Sequence, residues 1–450
     1  MSVPRRTADA TSSREPAPGD RLRILVVSFR FPPFNSAGAV SIGKAAKYLV
    51  ALGHEVQVIT AGDQQLPTNL PMEVDPGTVV ATRWFNPMRV AEPIAGGRQR
   101  VSATGFSAGR RHDRLVHRVG RLYRSVMIPD REIGWAWPAV RAGRRLISTW
   151  RPDVIFASAP PNTSLVVAKA LSRGTGIPWV AGLGDLWSDN PYNPYRGTPL
   201  ARLDRSLESR VLRAAAGCVV TTDEAGELIR GRYGTPTATV MNGFDADDAR
   251  TRSGPSRPNE LRIVYTGILM HDRRDPTALF RAMRRLRDEG DTVVADFYGR
   301  DAPVAEKAAG RVGVTDLVRS HGPISHEESL QAQRDADVLL LLQWNDPAER
   351  ITCPLKIFEY AAALRPVLGL GPDDGVVARL LRQFDMGMVL QHPNDIAREL
   401  RRWTELKARL GHVPDVAPVP PGELSRERQV ATLASFLADI VDLVGSRRHG

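Results

Sequence analysis

Residues 351–371 read ITCPLKIFEYAAALRPVLGLG, and this stretch decides the fold. Pro354 lacks an N–H and has a φ already suited to a helix, so the pattern predicts a helix opening there. Arg365-Pro366 should stop it, because a proline disfavours helical geometry in the residue before it. Residues 367–370, VLGL, then read as a buried strand. Ile357, Phe358, Ala361 and Leu364 recur at helical spacing and would pack on a sheet, whereas Lys356 and Glu359, three apart, share the exposed side. The helix N-terminus offers free backbone N–H groups and a partial positive charge, so phosphate binding is natural there. The same residues also describe a solvated Lys-Glu pair on an ordinary helix.

Working upstream, residues 337–342 (DVLLLL) form a buried central strand that feeds the loop into this stretch. The series begins with LRIVYTG (261–267), a strand running into Gly267, then the loop MHDRRDP and a helix over 277–287. VVADFYG (293–299) repeats the strand-to-glycine arrangement, and Ser325 and Glu328 have capping-box spacing. Arg273 and Arg274 lie between strand and helix, where guanidinium groups reach phosphate oxygens bidentately.

An earlier α/β series precedes it. Residues 24–29 (ILVVSF) make a nearly continuous apolar strand, a helical pattern starts around Val40, and EVQVIT (55–60) supplies the next strand. This βαβ unit lacks G-x-G-x-x-G, so no dinucleotide fingerprint is present. Gly38 in its first loop either lets the backbone approach a phosphate or sugar, or simply starts the helix. Strands follow at 153–157 and 179–183, the second ending in GLGDLWSDNP, which sets Asp185, Trp187 and Asp189 at a carboxyl edge where α/β sites lie. Asp185 could orient a hydroxyl, act in proton transfer or cap a turn. Asn242-Gly243 signals a turn. The predicted organisation is a disordered tail over 1–20, an N-terminal Rossmann-like domain over 21–245, a linker over 246–259, a C-terminal Rossmann-like domain over 260–423, and a helix over 424–445 returning to the first domain.

The chain has 450 residues, too many for one core. Its hydrophobic content of 42% and mean hydropathy of −0.24 are ordinary for a soluble protein. No apolar run long enough to span a bilayer is expected, nor a signal peptide, which points to the cytoplasm. Cys218 and Cys353 form neither a disulfide framework nor a metal-ligand spacing. The net charge of +11 and pI near 10.1 favour an anionic partner. Residues 110–127, RRHDRLVHRVGRLYRSVM, can place Arg114, Arg118, Arg121 and Arg124 on one helical side and apolar residues on another, either a face for anionic membranes or a core helix with a basic exterior. No basic and aromatic nucleic-acid module is visible, which argues against nucleic acid as the partner.

The order FPPFNSAGAVSIGKAAKYLVALGHEVQVIT, RPDVIFASAPP, GDLWSDNP, VTTDEAGELIRGRYG, VMNGFD, VYTGILMHDRRDP, HGPISHEESLQAQRDADVLLLL and PLKIFEYAAALRPVLGLG resembles the GT-B glycosyltransferases of the family 4 type, in their bacterial polysaccharide and natural-product branch. The resemblance runs from about Arg23 to the last helix. It implies an α/β fold of two doubly wound domains facing across a cleft. It implies metal-independent, hexosyltransferase-type, retaining transfer with no cofactor, from a UDP- or GDP-sugar to a glycan, lipid-linked or small-molecule acceptor. Glu359 would bind the ribose hydroxyls, while Arg273, Arg274 and Lys356 would neutralise the diphosphate, with Gly38 and Gly267 lining the nucleotide-sugar site and Asp185, Arg274 and Lys356 acting in catalysis. Ile351 stands where the family's E-x7-E has an acid, Glu349 being out of register, and Ser158 and Gly184 replace a histidine and an arginine. A nucleotide-sugar epimerase, or a binding protein without catalysis, would share this architecture.

Overall fold

The structure, a computed structural model, describes residues 21–64, 66–84, 127–248, 260–269 and 273–449. The expected tail, nearly all of the cationic stretch 110–127 and most of the linker lie outside the described residues. The first half contains β1 (Arg23–Ser28), β2 (Glu55–Ala61), β3 (Val79–Thr82), β4 (Val154–Ala159), β5 (Trp179–Leu183), β6 (Gly217–Val220) and β7 (Thr237–Thr239). Its helices are α1 (Ala37–Ala51), α2 (Ala136–Thr149), α3 (Thr163–Thr175), α4 (Ala201–Leu212) and α5 (Asp223–Tyr233). The strands form one parallel sheet in the order β3-β2-β1-β4-β5-β6-β7. Ile24 pairs with Val56 on one side and Val154 on the other, and residues 24–27 are wholly buried, as helices on both faces require.

The second half repeats the plan with β8 (Leu261–Thr266), α6 (Thr277–Asp288), β9 (Val293–Tyr298), α7 (Ala302–Val312), β10 (Val318–Gly322), α8 (His326–Arg334), β11 (Val338–Leu342), α9 (Lys356–Ala363), β12 (Val367–Leu370), α10 (Val376–Gln383), β13 (Gly387–Leu390) and α11 (Pro393–Leu410). Its sheet runs β10-β9-β8-β11-β12-β13, again all parallel. Strand order reverses beside β1 in one sheet and beside β8 in the other. Ligands of such folds bind outside the carboxyl ends at those two points.

The helix that decided the reading opens two residues later than expected, at Lys356. Pro354 contributes its carbonyl, which accepts from the Ile357 N–H at 3.2 Å, as the entry turn. Leu364, expected on the buried stripe, instead closes the helix with a left-handed φ of 58°. Ser325 and Glu328 form the capping box, with both reciprocal hydrogen bonds made.

The last helix, α12 (Arg426–His449), crosses back to the first domain. Val430, Leu433, Leu437 and Ile440 pack beside Ile24, Val26, Ile42 and Leu49. Contrary to the expectation from hydropathy, residues 426–446 are long and apolar enough to cross a membrane by length and composition. Their apolar side faces the sheet, and Asp439 and Asp442 lie on the exposed side. The crossing itself depends on Gly243. Its φ of +73° suits glycine, and a Cβ there would stand 2.6 Å from the Arg426 backbone. On either side of the contact, Phe244 N–H donates to Leu424 O at 2.9 Å and Arg426 N–H to Phe244 O at 2.7 Å.

Candidate active site

The loop leaving β5 meets the loop leaving β11 across the gap between the domains. Trp187 is consumed by the core, its indole donating to Asp204 at 2.8 Å, and Asp189 is engaged by Arg205 and Arg232. Neither is therefore the open polar or aromatic group that the sequence suggested. Asp185 lines a small cavity with Tyr192, Ala348, Ile351 and Thr352. Asp185 is exposed to solvent, yet residues of both domains crowd around its carboxylate. That desolvation, and then repulsion from Glu349, raise its pKa above the usual carboxylate range.

Glu349 is buried, and Tyr192 donates its phenol proton to it. Burial and this bond push the Tyr192 pKa up to about 12. Arg273 rests against two rings, 5.0 Å from the centroid of Tyr192 in the first domain and 4.6 Å from that of Trp344 in the second. Arg274 donates to Ile268 O at 3.2 Å, while its Nε is buried with no hydrogen-bond partner. Burial works against its charge, but Tyr265, Tyr192 and Glu349 outweigh burial and raise its pKa.

Deeper in the second domain, Gln333 from α8 donates to Thr266 at the carboxyl end of β8 (2.9 Å) and to Glu359 Oε2 (2.7 Å). Lys356 donates to the same oxygen at 2.8 Å. The Lys356–Glu359 pair is thus partly buried and internally matched, not displayed on an exposed helix side as its spacing suggested. Burial opposes ionisation of Glu359, yet Lys356, Gln333 and His326 win and lower its pKa. Oε1 receives no hydrogen bond from the described residues and remains an acceptor for a ligand.

The structure therefore brings Asp185, Arg273 and Arg274 together around Tyr192 and Glu349, and fixes Lys356 and Glu359 beside the end of β8. Gly267 follows that strand, but a Cβ there would meet the Tyr265 ring at 2.7 Å, so packing alone explains the glycine. Gly38 stands apart, in the first turn of α1 near the other reversal point, where a Cβ would find ordinary contacts 3.6 Å from Arg30 and 3.8 Å from Pro160. Gly184 fits because a Cβ would approach Ala159 O to 3.0 Å. Ile351 contributes a carbonyl that accepts from the Thr222 hydroxyl at 3.0 Å, a side-chain to main-chain link between the domains at the position of the absent acid. Ser158, the next-to-last residue of β4, pairs with Ser28 and Gly182. Among the described residues no cluster of His, Cys, Asp or Glu is placed to hold a metal ion.

Sequence reading missed Tyr192, Trp344 and Gln333, and set Glu349 aside. Trp344 had a signal, an aromatic just past the carboxyl end of a central strand. Gln333 had none, since a glutamine on a helix gives no hint of its partner.

Two parallel sheets with matching strand reversals, facing across a cleft, define the GT-B architecture, and this chain has it. Residues 36–243 match the model of the glycosyl transferase 4-like domain family. It is 27% identical over 230 residues to a D-inositol 3-phosphate glycosyltransferase of Streptomyces scabiei (strain 87.22), covering 45% of this chain and 50% of that one. The chain thus matches about half the length of that curated relative. In structure it is similar to a sucrose-phosphate synthase from Thermosynechococcus elongatus, with a TM-score of 0.57 and 14% identity, covering 94% of this chain and 95% of that chain. It is also similar to a glycosyltransferase from Rickettsia africae ESF-5, with a TM-score of 0.56 and 13% identity, covering 95% of this chain and 97% of that one.

Proposed function

We propose that this chain transfers a sugar from a nucleotide-diphosphate sugar, UDP- or GDP-linked, to a glycan, lipid-linked or small-molecule acceptor held by the first domain. One observation carries the reading: an ionised Glu359, with one oxygen that takes no hydrogen bond from the described residues, sits beside Lys356 at the strand reversal of the second sheet, next to the loop bearing Arg273 and Arg274. In this reading Glu359 accepts the vicinal hydroxyls of the ribose. Arg274 and Lys356, with Arg273 released from its rings, hold the diphosphate as negative charge builds on the leaving group. These cations supply that charge without a metal. Asp185, its pKa raised, is suited to receive or steer a proton of the acceptor hydroxyl. Transfer is proposed to retain anomeric configuration.

The test is a thermal-shift screen over nucleotide diphosphates and their sugars, followed by product analysis with and without acceptors. Stabilisation by one nucleotide diphosphate family and acceptor-dependent consumption of its sugar are expected. Conversion of the sugar without any acceptor would identify an epimerase, and binding without turnover across the acceptor panel would identify a binding protein.

A further inference from the structure

One exposed aromatic side chain is ordinary on a protein surface. Trp137, 70% exposed in the first turn of α2, differs in its company. The helix buries Ala139, Gly143 and Ile147, and the absent Cβ of Gly143 lets Leu171 of α3 approach closely. Its outer side carries Arg141, Arg144 and Arg145, and α2 contains no acidic residue. The Arg141 guanidinium lies 5.6 Å from the Trp137 ring. A Cβ on Gly174 would fall 3.7 Å from Arg144 Nη2, so the basic surface reaches the end of α3 beside Arg173. Lys169 continues it and donates to Arg210 O on α4 at 2.8 Å. Burial, then Arg210 and Arg173, lower the Lys169 pKa. None of Arg141, Arg144, Arg145, Arg173 and Arg210 has a carboxylate partner among the described residues.

The strip also has a definite place. Asp130, just ahead of α2, accepts from Thr163 N–H at 2.9 Å and Thr163 Oγ1 at 2.6 Å, on the segment leaving the carboxyl end of β4. Tyr195, on the loop after β5, donates to Met127 O. Trp137 is therefore at the same sheet edge as the cleft.

We propose that this face of α2 docks the protein on an anionic lipid surface, with Trp137 in the headgroup region and Arg141, Arg144 and Arg145 against lipid phosphates. The surface does not depend on the proposed chemistry of the cleft. It would set the cleft edge of the first domain toward the bilayer. A single-stranded nucleic acid fits less well, because such sites stack successive bases on repeated aromatic platforms and this strip has one ring.

The full chain is tested by cosedimentation with phosphatidylcholine vesicles and with vesicles of about one-third phosphatidylglycerol, where the basic side chains should favour the anionic surface. The expected result is pelleting with the anionic vesicles alone, weakened in about 0.5 M salt. Arg141→Glu/Arg144→Glu/Arg145→Glu should weaken partitioning by about tenfold or more, and Trp137→Ala by several-fold. The corresponding triple lysine variant should still bind. Arg281→Glu/Arg311→Glu/Arg409→Glu, an equal charge change on the second domain, should bind like the wild type. The proposal is overturned if the α2 reversal binds vesicles as the wild type does, or if the second-domain reversal loses as much. Loss of single-stranded RNA binding with vesicle binding intact would also overturn it. Should the α2 reversal fail to fold, Trp137→Ala decides: undiminished binding to anionic vesicles rejects the site.

Discussion

Tyr192, in the first domain, donates a hydrogen bond to the buried carboxylate of Glu349 in the second. It stands beside a second side-chain link, the exposed Arg379–Glu224 ion pair, with an Nη2–Oε2 contact of 3.2 Å. An exposed pair is worth about 0–1 kcal/mol, whereas a buried carboxylate deprived of its donor costs about 1–3 kcal/mol. Tyr192→Phe should therefore speed amide exchange in residues 190–193 and 347–351, and Glu224→Ala should change it little. Equal effects in hydrogen-exchange mass spectrometry would refute the ranking.

Glu349 also acts on Asp185 through charge. Glu349→Gln removes a repulsive anion, so the Asp185 pKa should fall and its carboxylate should persist to lower pH. In the proposed reaction, the acidic limb of the pH profile of kcat/KM should move to lower pH. A limb that stays in place or moves upward would remove Asp185 as the titrating group.

Lys356 and Glu359 are coupled, so their variants should not look alike. Lys356→Ala removes a phosphate partner and should weaken a nucleoside diphosphate by about tenfold while changing nucleoside binding less, since charge-assisted bonds contribute about 1.5–3 kcal/mol. Glu359→Ala should weaken nucleoside and nucleoside diphosphate alike and raise the donor KM. Calorimetry on the four combinations decides, and equal losses for Lys356→Ala would exclude its phosphate role.

Asp130 supplies a stability prediction with a definite sign. Burial and then Glu132 raise its pKa from 3.8 to about 6, against the hydrogen bonds from Thr163 and Glu132 N–H. A raised folded pKa means that the stabilising contribution is complete below the unfolded value and is lost as pH rises through about 6. Asp130→Asn should gain on the wild type by roughly 2–3 kcal/mol between pH 4 and 7, read from denaturant unfolding at both pH values. A difference that does not vary with pH would contradict the assignment.

Gly243→Ala should destabilise the chain by about 1–3 kcal/mol through its left-handed φ alone, with the approach to Arg426 adding to this. A melting temperature unchanged from the wild type would show that the crossing can shift.

The fold was legible where burial is two-sided. Residues 24–29 and 337–342 carry unbroken apolar runs because helices cover both sheet faces, and such runs read as strands without knowledge of their neighbours. The start of α9 was misplaced by two residues because Pro354 suits both a first helical position and the turn before it. The site was only half legible. Arg273, Arg274, Lys356 and Glu359 announce themselves by charge at strand ends. That Arg273 rests on Tyr192 and Trp344, or that Glu359 is held by Gln333, depends on contacts between distant parts of the chain that no local pattern encodes.

The chain passes between the domains twice, outward after Phe244 and back through Leu424 to Arg426, and the two passages are hydrogen-bonded to each other. A single tether would let the halves twist as well as swing. Two passages pinned side by side behave like the pin of a door, leaving rotation about one line as the soft motion. A ligand spanning the cleft would then have to arrest one angle rather than a full set of relative orientations. The ordering entropy of closure would fall mostly on side chains such as Tyr192 and Arg273.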